Sequence, residues 1–89
     1  MRRSRLEMDM DILIAIEAEE KYISQIMRKT NIVHTVLKRK LVRLIGLGLV
    51  NAKLLSTTKR GSERWEYTIT DLGLEAIKAY EKIRALLWR

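Results

Sequence analysis

The chain has 89 residues, 47% of them hydrophobic, enough for one small domain and too few for two independent cores. Without cysteine it has no disulfide, no thiolate metal site and no thiol redox chemistry, and its longest apolar run, Leu44 to Val50, is far too short for a membrane span. The formal net charge of +7 is segregated: no Asp or Glu lies between Lys21 and Ser62, a stretch that holds Lys21, Arg28, Lys29, Lys38, Arg39, Lys40, Arg43, Lys53, Lys59 and Arg60. A cationic segment of this kind in the middle of a small domain favours a polyanion, nucleic acid above all, over a merely solvated basic face.

Residues 1–6 read as a flexible basic N-terminus. Arg2, Arg3 and Arg5 resemble the charged start of a signal peptide, but no uninterrupted apolar stretch follows, so a cytoplasmic protein is expected. Few Asn and Gln, many Ile and Leu and a high charge fraction resemble thermophile usage. A first helix is expected over Leu6–Glu20, with Ile12, Leu13 and Ile16 on its apolar stripe. Ser24 then reads as the N-cap of a short second helix, Gln25 to Lys29, with Ile26 and Met27 inward. Asn31 suits the turn that follows, because Asn tolerates positive φ better than most residues.

A third helix runs from about His34 to Leu47, its buried stripe formed by Leu37, Leu41 and Leu44, and Gly48 ends it. Two strands follow, Leu49 to Leu55 and Arg64 to Ile69, the second alternating with Trp65, Tyr67 and Ile69 on one face. Trp65 and Tyr67 at that spacing favour core packing over a stacking platform for bases. Gly61 supplies the flexible point of the hairpin tip. Thr70 caps a last helix with Asp71 in its first turn. In that helix, residues 72–89, Ala76, Tyr80, Ile83 and Leu87 recur at coiled-coil steps, with Ile77 and Leu86 widening the seam. The seam exceeds what one small domain covers, so a homodimer through this helix is expected.

The expected class is mainly α with a β-hairpin (α+β), in the order α-α-α-β-β-α. Three segments in that order resemble winged helix-turn-helix transcription regulators. Tyr22-Ile23-Ser24-Gln25-Ile26-Met27-Arg28-Lys29-Thr30-Asn31-Ile32 is similar to the entry helix and turn of that family. Leu37, Leu41 and Leu44, then Leu47-Gly48-Leu49-Val50, resemble a recognition helix and its exit into the wing. Tyr67-Thr68-Ile69-Thr70-Asp71-Leu72-Gly73 resembles the strand-to-helix signature of the MarR-like group and of small archaeal winged-helix proteins that dimerise through a C-terminal helix. The resemblance covers about residues 8–85.

It implies a sequence-specific, double-stranded-DNA-binding transcription regulator, with the third helix in a major groove. On that helix His34, Thr35, Lys38, Arg39 and Arg43 would face DNA; Lys40 lies closer to the core. Lys59 and Arg60 at the wing tip would meet the adjacent minor groove, and Arg28 and Lys29 the backbone. Val33 stands where the family usually has Ser or Thr, and apolar Val42 and Ile45 stand where charge is common. Cover by the wing or last helix and a subunit contact both account for that pair. A non-specific architectural DNA-binding protein and a protein–protein interaction module are the alternatives on the same fold. No enzyme, cofactor or metal is expected: Ser24 has no histidine partner, no Gly-rich phosphate loop is present, and His34 is a lone imidazole.

Overall fold

The computed structural model describes residues 3–87. Its elements are α1 (Arg5–Glu17), α2 (Ile23–Thr30), α3 (His34–Gly46), β1 (Val50–Thr57), β2 (Glu63–Ile69) and α4 (Asp71–Leu87). This is the expected α-α-α-β-β-α order.

Helix α1 starts inside the segment expected to be a flexible terminus, because Ser4 and Glu7 cap each other. The Ser4 hydroxyl accepts from the Glu7 amide at 3.1 Å and the Glu7 carboxylate accepts from the Ser4 amide at 3.3 Å. Arg3 adds an ion pair to Asp11 at 2.7 Å. Residues 1–2 of that expected terminus lie outside the described residues, as do 88–89 of the expected dimerisation helix. The helix ends at Glu17, short of the expected Glu20, where Glu19 turns to φ 67° and breaks the repeat. Met10, Ile12, Leu13, Ala15 and Ile16 are all buried, since α1 is packed by α2, β2 and α4 together.

Helix α2 begins at Ile23, and Ser24 is not its cap. The Gln25 side-chain oxygen folds back to accept from the Lys21 and Tyr22 amides at 3.0 and 3.3 Å, which satisfies the entry without a hydroxyl. Asn31 takes the left-handed conformation that ends α2, φ 57°, as its residue type predicts. Within α3, Leu37, Leu41 and Leu44 are fully buried, each contributing about 1.5–3 kcal/mol of transfer free energy. Its N-cap, Val33, makes no side-chain cap bond, so this helix end leaves amides free to face solvent.

The strands pair antiparallel with Val50 opposite Ile69, Ala52 opposite Tyr67 and Leu54 opposite Trp65. An irregularity between Leu54 and Ser56 shifts the register, and both strands extend further toward the tip than expected. Tyr67 is buried and Trp65 packs half-buried on the core, so this face of the sheet is structural. At the tip, Thr58 and Ser62 close the turn, with Gly61 at φ 80°.

The hairpin and the last helix meet at Thr70. Its hydroxyl donates to the Gly48 carbonyl at 2.7 Å and accepts from the Gly73 amide at 2.9 Å, giving α4 the cap expected from the sequence. Gly73 has no room for a side chain: a Cβ there would strike the Leu49 carbonyl and the Ile69 side chain. Ile77 stays buried on the body, and beyond Tyr80 α4 leaves it: residues 81–87 are all exposed. The molecule is accordingly elongated, 53 × 30 × 20 Å.

Candidate nucleic-acid interface

At roughly 100° per residue, the three leucines of α3 set the directions of its remaining side chains. His34 and Lys38 lie on the flank toward the hairpin. Val36, Lys40 and Arg43 lie on the flank toward α1. Thr35, Arg39 and Val42 form the crest between them, pointing away from the core. Thr35, Lys38, Arg39, Val42 and Arg43 are exposed, and so is His34.

Each flank borders a cleft. The hairpin-side cleft, about 830 Å³, is lined by Arg28, His34, Lys38 and Arg64, with Glu63 as the acid on its wall. Tyr22, Trp65 and Tyr67 form part of its lining. Arg64, near the start of β2, carries no sequence signal that marks it for this cleft. Its guanidinium lies 4.6 Å from the centre of the Tyr22 ring, a cation–π contact that holds the strand residue over the entry of α2. A bond from the Tyr67 amide to the Lys21 carbonyl, 2.8 Å, pins β2 to the same loop and keeps the cleft wall in place. Burial pushes the Tyr67 phenol above its ordinary pKa, so this wall carries no additional anion at neutral pH.

The other cleft, about 900 Å³, runs between α1 and α3 and includes Arg5, Arg39, Lys40 and Arg43. Asp9 sits at its base, 8% exposed, and accepts from Lys40 at 3.1 Å and from Arg43 at 2.9 Å. Arg43, expected to be a free cation on the recognition face, is therefore tied to α1 through Asp9. It still exposes 62% of its side chain beside the cleft. Lys40, at 12% side-chain exposure, is the structural member of the pair. No spacing rule in the sequence marks Asp9, since its partners are 31 and 34 residues away.

The remaining expected residues sit as follows. Lys59 and Arg60 are exposed at the hairpin tip, and Lys29 is exposed beside Arg28 but outside both clefts. Val42 is 70% exposed and Ile45 37%, so the hairpin and α4 leave Val42 uncovered. Of the expected dimer seam, Ala76 and Tyr80 pack partly against the domain's own core, while Ile83 and Leu87 are exposed at 55% and 77%. Ile77 corrects the seam: at 2% exposure it is committed to its own core and offers nothing to a partner. Among the described residues, no group of three or more His, Asp or Glu side chains could hold a metal, and no helix is long and apolar enough to cross a membrane.

A family model described as "Winged helix-turn-helix" matches residues 2–87, nearly the whole chain. The chain belongs to the winged helix-turn-helix family. In that frame α3 is the recognition helix and the β1–β2 hairpin is the wing. Among solved structures, the chain is similar to Sso10a-2, a DNA-binding protein from Sulfolobus solfataricus. The two are 29% identical, with 97% of this chain and 86% of that one covered, at a TM-score of 0.69. A PadR-like transcriptional regulator from Bacillus cereus shares the fold, at 23% identity over 89% of this chain and 82% of that one, with a TM-score of 0.72. No curated protein sequence matches significantly.

Proposed function

We propose that this winged helix is a sequence-specific, double-stranded-DNA-binding transcription regulator that acts as a homodimer. One observation carries the DNA reading: the recognition helix stands between two basic clefts. An α-helix with its side chains is about 10–12 Å across, and a B-form major groove is about 12 Å wide. With the crest of α3 in that groove, Arg28 and Arg64 meet the phosphates of one strand, and Lys38 reaches the base edges beside them. Arg5, with the exposed part of Arg43, meets the phosphates of the other strand, while Arg39 on the crest reaches base edges. Lys59 and Arg60 at the wing tip reach on toward the adjacent minor groove. The DNA-binding description of Sso10a-2 and the regulatory one of the PadR-like protein agree with this reading.

The homodimer rests on α4. Ile83, Leu86 and Leu87 are exposed on the last two turns of α4, where residues 81–87 are all exposed. Pairing two such ends, with Tyr80 and Ala76 at the margin, removes an apolar strip from water and places two recognition helices about one turn of DNA apart. An inverted-repeat operator is the expected consequence.

The test is selection of bound duplexes from a random library at physiological salt. Enrichment of an inverted repeat supports the whole reading. Salt-sensitive retention of DNA without enrichment reassigns the protein to architectural binding, and no retention at low salt reassigns it to protein–protein interaction.

A further inference from the structure

Val42 is the feature that phosphate contacts leave without a role. It is 70% exposed among Lys38, Arg39 and Arg43 on the outer face of α3, seven residues after Thr35 and therefore nearly two full turns along the same line of the helix. Lys38 and Arg39 occupy the turn between them, and Arg43 follows directly. We propose that Val42 is a specificity-determining residue that reads thymine by contact with its 5-methyl group in the major groove. The inference rests on the DNA-binding reading above and deepens it.

Charge fixes the kind of occupant. A protein partner with an apolar surface has to bury Lys38 and Arg39 alongside Val42, at a large desolvation cost, whereas a polyanion pairs with both. Once the crest is in a major groove, chemistry fixes the base. Valine has no hydrogen-bonding atom in its side chain. Against guanine, adenine or cytosine it covers acceptors or amino donors and leaves them without water or a partner. The only apolar group on that edge of the four bases is the thymine methyl. Val42 thus selects twice, by favourable contact with thymine and by unmet polar groups on the other bases. The position follows from helix geometry. Thr35 and Val42 are separated by a rise of about 10 Å along α3, which corresponds to about three base steps at 3.4 Å each.

Deoxyuridine tests this directly, because it differs from thymidine only by the absent methyl group and pairs identically. The full-length protein is first given its preferred duplex by library selection. Each thymine is then replaced singly by deoxyuridine, and affinities are measured for the wild type and Val42→Ala. One thymine per half-site is expected to matter, its replacement weakening wild-type binding about fourfold, the worth of one buried methyl group. For Val42→Ala the same replacement should change nothing, while other thymines behave as in the wild type. Since Val42 is exposed inside a helix and Ala is the better helix former, the variant should melt at or slightly above the wild-type temperature, which separates lost reading from lost folding. The proposal is overturned if no thymine is sensitive, or if the sensitivity persists unchanged in Val42→Ala. It is also overturned if Val42→Ala alters the sedimentation coefficient without altering methyl discrimination, which would make Val42 a subunit contact. Failure of the library to enrich any sequence is a different result and overturns the sequence-specific reading beneath it.

Discussion

Replacing Asp9 by Asn keeps the shape of the side chain and removes the one negative charge that holds α1 to α3. The size of the effect follows from who is left behind. The Lys40 side chain is 12% exposed, so its ammonium loses its counter-charge in a largely dry position, whereas Arg43, 62% exposed, is solvated by water at little cost. Breaking a buried pair by removing one partner costs about 3–5 kcal/mol. The flexible lysine stem relieves part of this by letting the head move outward, so the working value is about 3 kcal/mol. For a domain of this size each kcal/mol lowers the melting temperature by about 4–8 °C, giving a drop of about 12–24 °C. Differential scanning calorimetry at neutral pH measures it. The Arg3–Asp11 pair is the internal control: at 32% and 42% side-chain exposure, Asp11→Asn should cost under about 1 kcal/mol. The companion variant Asp9→Leu/Lys40→Met removes both charges and should recover most of the loss. A fall below 4 °C for Asp9→Asn, or a double variant no more stable than Asp9→Leu alone, refutes the account.

Three further outcomes follow from the same geometry. Lys38→Ala and Arg39→Ala should weaken binding to the selected duplex more than to random DNA. Lys59→Ala and Arg60→Ala should weaken both alike and lower the salt slope by about one each, as read by fluorescence anisotropy across a salt series. Ile83→Asp with Leu87→Asp should convert a dimer to a monomer by sedimentation at micromolar concentration and abolish tight operator binding. A wild type that sediments as a monomer and binds a half-site tightly removes the α4 assignment. Absorbance at 295 nm, compared between the wild type and Tyr67→Phe, should show Tyr67 ionising above the ordinary tyrosine value, because burial raises it. Because its folded pKa is raised, the stability it confers is intact below the unfolded value of about 10 and is lost as pH climbs through the folded value. Tyr67→Phe should flatten that alkaline loss.

What was legible in the chain was local. The leucines of α3 announce their own face by spacing, Asn31 announces a left-handed turn by its residue type, and Thr70 announces a cap by standing one residue before a helical pattern. At the entry of α2 the residue types mislead, because Ser24 is a commoner cap than a glutamine that folds back from Gln25. Ile77 fits the seam by spacing, yet belongs to the core, because a helical pattern does not distinguish which of two neighbours will cover it. The candidate interface is only half visible in the sequence. The acid-free run from Lys21 to Ser62 correctly marks where the cations lie, yet folding brings Asp9 into that run from outside and ties Arg43 to it. Arg64 escaped notice for the converse reason: its stacking partner, Tyr22, is distant in sequence and carries no charge pattern to reveal it.

The Thr70 junction has a mechanical consequence. One hydroxyl grips the carbonyl after α3 and the first turn of α4, and the Thr70 amide adds a bond to the Leu49 carbonyl at 3.2 Å. Gly73 lets the two segments touch without a spacer. The exit of the recognition helix and the root of α4 therefore move as one piece. In the proposed dimer, α4 becomes a lever arm and Thr70 its weld. In that proposed dimer the angle between the two arms sets the distance between the two recognition helices.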